Sequence, residues 1–257
     1  MTESTGPARP ARTLLVTGGS RGIGAACSLL CARQGWAVAV NYTRDAQAAE
    51  AVVQRIRAEG GVAQAVQADV ADEAQVLAMF ETVARDLPPL RGLVNNVGVV
   101  DMPARLDQMS LARLNRMFAI NVIGSFLCAR EAVKKLSTRH GGPGGVIVNL
   151  SSAAARLGSP GQYLDYASAK GAIDTFTLGL AKEVATEGIR VNAVRPGIIE
   201  TEIHASGGLP DRAKQVAPMV PMQRAGSAEE VAQAVAWLLS DASSYTTGAV
   251  IDVTGGR

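Results

Sequence analysis

The 257 residues are 47% hydrophobic and 19% charged, with a formal net charge of +2. That is enough chain for one large α/β domain with a substantial core and too little for two catalytic domains. A balance so near neutrality gives no field to recruit nucleic acid or an anionic membrane surface, and no run approaches the roughly 18 apolar residues of a membrane-spanning helix.

Met1 to Ala11 hold two prolines and lack the apolar core of a secretory signal, so a flexible tail is expected before a single domain over 12–257. From there short β-rich runs alternate with amphipathic stretches of helix length. Strands are predicted at 13–17, 37–41, 62–67, 92–95, 146–150, 190–194 and 249–253, and helices near 22–34, 45–59, 72–86, 108–138, 166–187 and 228–240. Leu14, Leu15 and Val16, like Val146, Ile147 and Val148, are apolar at consecutive positions, as a parallel sheet covered on both faces requires. The expected fold is α/β: a Rossmann-type, doubly wound, seven-stranded parallel sheet whose ligand lies beyond the carboxyl ends of the strands. Cys27, Cys31 and Cys128 are too few and too scattered for a disulfide framework, which points to a reducing compartment, by default the cytoplasm. Cys27 and Cys31 stand four apart on the first predicted helix and are read as small buried hydrophobes, so no metal is assigned.

Strand 1 runs into Thr17, Gly18, Gly19, Ser20, Arg21, Gly22, Ile23 and Gly24. Glycines permit the tight bend and the close approach of backbone to a pyrophosphate, and the helix that follows presents free N–H groups to the anion. At the end of strand 2 an acidic residue would bond a ribose 2′-hydroxyl and repel a 2′-phosphate. Asn41, Tyr42, Thr43 and Arg44 stand there instead, and Asp45 comes late. With Arg21 in the glycine loop, Arg44 suits a phosphate, which favours NADP(H) over NAD(H). Asp69 and Val70 after strand 3, and Asn95, Asn96 and Gly98 after strand 4, fall along the adenine and ribose path.

Ser151 and Ser152 follow strand 5, and Tyr166 and Lys170 begin the next helix at a spacing that shares one face. A phenol normally ionises near pH ~10, and a neighbouring ammonium stabilises its anion, bringing proton transfer closer to neutral pH. The longest irregular stretch, 196–227, is rich in Gly and Pro, contains His204, and reads as a mobile lid over the ligand.

Together, the glycine turn at 17–24, Asn95-Asn-Val-Gly, Asn121, the serine pair 151–152, Tyr166-Ala-Ser-Ala-Lys and Arg195-Pro-Gly-Ile-Ile-Glu-Thr resemble the short-chain dehydrogenase/reductase family over residues 12 to 257. Within it, the sequence is most similar to the branch of 3-oxoacyl-carrier-protein reductases and glucose 1-dehydrogenase-like proteins. The resemblance implies hydride transfer between a nicotinamide and a small-molecule carbonyl or secondary alcohol, with Tyr166 as general acid/base. It implies that Ser152 holds the substrate oxygen, that Lys170 lowers the tyrosine pKa and bonds the nicotinamide ribose, and that Asn121 holds a water in a proton relay. Pro196, Gly197, Ile199 and Thr201 would line the nicotinamide side, and helices 108–138 and 166–187 would pair subunits into a homotetramer, or at least a dimer. Ser152 lies one residue farther from Tyr166 than is usual in the family; Ala153, at the usual distance, has no hydroxyl. Tyr163 lacks a lysine four residues later and is set aside as the base. Lys134, Lys135 and Arg139 either greet an acidic carrier protein or simply solvate a helix end. Two other classes compete: a Ser-His-acid hydrolase, with only His140 and His204 to draw on, and a non-catalytic NADP(H)-binding sensor or scaffold of the same fold.

Overall fold

Leu14, Leu15 and Val16 are all fully buried, yet they serve different cores. In the computed structural model, which describes residues 10–203 and 207–257, they form strand β1 (Thr13–Val16) in the interior of a parallel sheet. Side chains alternate across a strand. Leu14 and Val16 therefore join one core with Val38, Val40, Val146 and Val148, while Leu15 joins the other with Ala39, Leu93 and Ile147. The first core packs against α1 (Gly22–Arg33), α2 (Ala46–Ala58) and α9 (Ala228–Leu239). The second packs against α3 (Glu73–Asp86), α5 (Gly124–Leu136) and α7 (Leu164–Val184), the last preceded by the one-turn α6 (Ala154–Leu157). Cys27 and Cys31 are buried in the first core and Cys128 in the second.

The remaining strands are β2 (Ala37–Tyr42), β3 (Ala63–Gln67), β4 (Leu90–Asn95), β5 (Gly145–Leu150), β6 (Ile189–Pro196) and β7 (Val250–Val253). Their spatial order is β3-β2-β1-β4-β5-β6-β7, every neighbouring pair parallel. This is the doubly wound seven-stranded sheet expected from the sequence. The order reverses between β1 and β4, and a crevice opens at their carboxyl ends.

Two segments differ from expectation. The helix predicted over 108–138 is two helices, α4 (Leu111–Phe118) and α5, joined by a π turn at Ala119–Ile123. The Asn121 side chain donates to the Met117 carbonyl at 3.0 Å, the position a regular helical bond would use, and so competes with the ladder. The stretch after β6 carries local structure: α8 (Arg212–Val216), a 3-10 turn at Ala217–Met219, and a parallel bridge between Ile199 and Gly226. Residues 1–9 and His204 lie outside the described residues. No helix among the described residues is long and apolar enough to cross a membrane.

Candidate active site

A cleft of about 490 Å³ lies over the reversal point. On one side the chain leaves β1 through Gly18, at φ +60°, and turns into α1. The Gly18 N–H donates to the Asn41 side chain at 3.1 Å, and the Asn41 amide donates to the carbonyls of Ala68 at 3.0 Å and Val66 at 3.3 Å. Asn96 Nδ2 reaches the carbonyls of Thr17 and Gly18 at 3.0 and 3.1 Å. Under this turn α1 begins so tightly that a Cβ on Gly24 would stand 2.2 Å from the Gly18 carbonyl oxygen.

Helix α1 has no side-chain cap and no acidic residue in its first turn. By contrast, α2, α3, α4 and α9 are capped by Asp45, Asp72, Ser110 and Ser227. Gly22 and Ile23 line the cleft, so uncapped N–H groups and the positive end of the helix dipole front it. A cofactor diphosphate fits that feature, since an anion supplies the acceptors that the chain omits.

Farther along, Tyr42, Thr43 and Arg44 line the cleft beyond β2, with Asp69 beyond β3. Asp45 caps α2 by accepting from the Ala48 N–H at 2.9 Å. Arg21 and Arg44 are exposed, and among the described residues neither guanidinium has a hydrogen-bond or ion-pair partner. Five of the residues singled out from sequence stand behind the wall of the cleft. Asn41 and Gly24 brace the glycine turn. Val70 is buried against Gly124. Asn95 donates to the Ser125 carbonyl and to Asn149, and Asn121 spends its side chain on Val99 and Met117.

On the other side of the reversal point, Tyr166 enters the cleft from the first turn of α7. That turn is pinned by buried Asp165, which accepts from Arg113 at 2.8 and 3.2 Å. Ser152 lines the cleft beside Tyr166, and its Oγ accepts from the Ala154 N–H at 3.1 Å. Ser151 points away, its Oγ donating to the Lys170 carbonyl at 3.1 Å. Lys170 is 3% exposed, and its Nζ donates to the Leu150 carbonyl at 2.7 Å and lies 5.7 Å from the Tyr166 ring centre. Gly98 closes the group, since a Cβ there would meet Asn121 Oδ1 at 3.2 Å and Lys170 Nζ at 3.4 Å.

Burial drives the electrostatics here. It lowers the Lys170 ammonium to about 8, with Asp174 one helical turn on opposing the shift. It raises the Tyr166 phenol, and the nearby Ser152 hydroxyl only partly offsets this. The Lys170 ammonium is turned onto the Leu150 carbonyl. Burial thus favours the protonated form of the Tyr166 phenol.

Pro196, Gly197, Ile199 and Thr201 all line the cleft after β6. Thr201 packs against the glycine turn, its Cγ2 3.2 Å from where a Gly22 Cβ would stand. Arg116, Arg212 and Arg257, which nothing in the sequence singled out, also line the cleft, as does Tyr163, which was given no role. No motif marks these positions, since a single arginine on a helix or at the chain's end carries no spacing signal. Lys134 and Arg139 are engaged by Glu131 at 2.8 Å and Glu187 at 3.8 Å, in keeping with a solvated helix end.

A family model described as enoyl-(acyl carrier protein) reductase matches residues 18–257. The chain is 56% identical over 243 residues to the Escherichia coli (strain K12) protein named "Uncharacterized oxidoreductase YgfF", covering 95% of this chain and 98% of that one. It is 39% identical to a 3-oxoacyl-[acyl-carrier-protein] reductase of Synechocystis sp. (strain ATCC 27184 / PCC 6803 / Kazusa), covering 96% of each. The chain belongs to the short-chain dehydrogenase/reductase family. It is an oxidoreductase of that family. Among solved structures, a short chain dehydrogenase from Burkholderia cenocepacia J2315 in complex with NADP superposes with a TM-score of 0.87 at 33% identity, covering 96% of this chain and 98% of that one. The short-chain dehydrogenase/reductase fold thus extends over nearly the whole chain, not only the glycine turn.

Proposed function

We propose that this oxidoreductase interconverts a small-molecule carbonyl and its secondary alcohol with NADP(H), using Tyr166 as the proton donor and acceptor. The observation that carries the reading is the convergence of Ser152, Tyr166 and the buried Lys170 on one end of the cleft, with Lys170 Nζ 5.7 Å from the Tyr166 ring centre, set across from an uncapped helix N-terminus.

When bound, the nicotinamide supplies or accepts a hydride at its C4. The glycine turn holds the diphosphate, and Arg21 and Arg44 hold a 2′-phosphate through charge-assisted hydrogen bonds. That preference is supported by two guanidiniums without a partner among the described residues, by the absence of a carboxylate at the end of β2, and by the NADP complex of the Burkholderia relative. Thr201 and Pro196 line the nicotinamide end, and Lys170 bonds the ribose.

Ser152 and Tyr166 direct their hydroxyls at one substrate oxygen. In the direction of reduction the carbonyl carbon gains hydride and the oxygen takes the phenolic proton. Lys170 then stabilises the phenolate. Reprotonation comes from solvent through a relay. Asn121, whose side chain is engaged by Val99 and Met117, holds a water in that relay. Preorganised hydrogen bonds and orientation supply most of the acceleration.

We further propose a homotetramer and a cytoplasmic setting. Ile123, Phe126 and Leu178 are 51%, 45% and 44% exposed on α7 and on the π turn and α5 beside it, an apolar face that pairing would cover. All three cysteines are free and buried. Residues 196–227 are proposed as the substrate lid. The test is an NADPH-consumption screen over acyl thioesters, diketones, quinones and small ketones, with NADP reduction by sugars alongside. Turnover of at least one class is expected. Silence across all of them with NADPH bound tightly would overturn the enzymatic reading in favour of a sensor.

A further inference from the structure

The cleft's charges are divided between its two ends. The carboxylates that line it are Asp45, Asp69 and Glu202, and all three sit at the cofactor end. Asp45 caps α2, and Asp69 accepts from the Ala71 N–H at 3.0 Å. Glu202 lies beside the glycine turn, 3.7 Å from where a Gly22 Cβ would be. The opposite end, above the first turn of α7, holds Arg212.

Arg212 stands at the start of α8 in the segment after β6. Its guanidinium carbon lies 5.1 Å from the centre of the Tyr163 ring, and its Nη2 donates to Gln162 Oε1 at 2.7 Å. Both partners are neutral. Arg212 is half-buried and lines the cleft, and it has no carboxylate partner among the described residues. Its neighbours are satisfied: Arg113 is bound by Asp165 and by the Met102 carbonyl, and Arg116 pairs with Asp101 at 3.6 Å.

Tyr163 is buried, only 6% exposed, and precedes Tyr166 by three residues at the same end of α7. A cation fixed over Tyr163 therefore stands within a small molecule's length of the Tyr166 hydroxyl. Holding a guanidinium by one amide and one ring face orients it while leaving most of its donors free. A partly desolvated, oriented and uncompensated cation is a receptor for an anion.

We infer that Arg212 is the specificity residue for an anionic group, carboxylate or phosphate, carried by the carbonyl substrate a few bonds from its reacting carbon. This rests on the proposed function for the position of the reacting carbon. Tyr163 and Gln162 act as positioning residues that aim the guanidinium.

The test reads binding without turnover. Protein saturated with NADP⁺ cannot donate hydride to a ketone, so 3-oxobutanoate and its methyl ester, and dihydroxyacetone phosphate and dihydroxyacetone, are titrated into that complex by calorimetry. In at least one pair the anion should bind about 10-fold or more tightly than its neutral partner, the factor of a charge-assisted hydrogen bond. The pair that shows it separates carboxylate from phosphate. Arg212→Gln should erase the difference and Arg212→Lys should keep part of it, while Lys182→Gln, removing an equal charge outside the cleft, should retain it. Equal affinities within both pairs, or a preference that survives in Arg212→Gln, would overturn the inference. Because the NADPH-consumption screen is read separately, failure of this preference leaves the oxidoreductase reading standing, and failure of the screen leaves the binding result intact.

Discussion

At the glycine-turn end of the cleft the tightest constraints fall on the backbone, whereas at the α7 end they are contacts made by side chains. The glycine turn depends on a positive φ at Gly18 and on the bare Cα of Gly24 against the Gly18 carbonyl. The far side depends on Asp165 with Arg113, Arg212 over Tyr163, and Lys170 on the Leu150 carbonyl. A backbone constraint admits few residue types, so it leaves a motif. Many side-chain combinations can meet a pairing constraint, and so it leaves none.

Substitutions can break that contrast from either side. The largest effect is expected at Lys170. Lys170→Met should cut turnover by about 10²–10⁴-fold, the range of a general acid–base contribution. The same change should stabilise the fold. The buried ammonium is lowered from 10.5 to about 8, so at pH 7 its charge costs ~3 kcal/mol, offset by ~1 kcal/mol for the lost Leu150 hydrogen bond. The sign follows from linkage: the penalty is complete below about pH 8 and fades as pH rises towards the unfolded value, so the variant's advantage in thermal melts should shrink over that window. A variant that melts below wild type at pH 7 would show that Lys170 stabilises the fold.

Next in size, Gly24→Ala drives a Cβ to within 2.2 Å of a backbone oxygen. A loss of ~1–3 kcal/mol in stability is expected, with weaker NADPH binding in fluorescence titration. An unchanged melting temperature would mean that the turn yields. Smaller still, Arg44→Ala should weaken NADPH by about 5–10-fold and leave NADH nearly unaffected, since an exposed charged hydrogen bond is worth less than a buried one. Equal losses for the two cofactors would remove the 2′-phosphate argument.

The same contrast explains what was legible in the sequence. Consecutive apolar residues such as Leu14 to Val16 revealed the sheet because two cores claim alternate side chains. Tyr166 and Lys170 were visible because a helix fixes their spacing. Asn41 and Asn95 were identified as near the site, but they brace it from behind; position after a strand does not tell which way a side chain turns. The π turn at Asn121 was invisible because its residues suit an ordinary helix, and the break depends on Val99, distant in sequence. Arg212 had no signature because its partners, Gln162 and Tyr163, lie about fifty residues away.

The central claim is that the Tyr166 phenol supplies the proton while the rest of the cleft binds the cofactor. It is tested most directly by comparing Tyr166→Phe with wild type in two assays on the same preparation, NADPH affinity and reduction of the best carbonyl substrate from the screen. The account predicts affinity within about 3-fold of wild type and reduction lower by about 10²–10⁴-fold. A Tyr166→Phe variant that keeps more than about a tenth of the activity, or that loses NADPH binding in step with turnover, would contradict it.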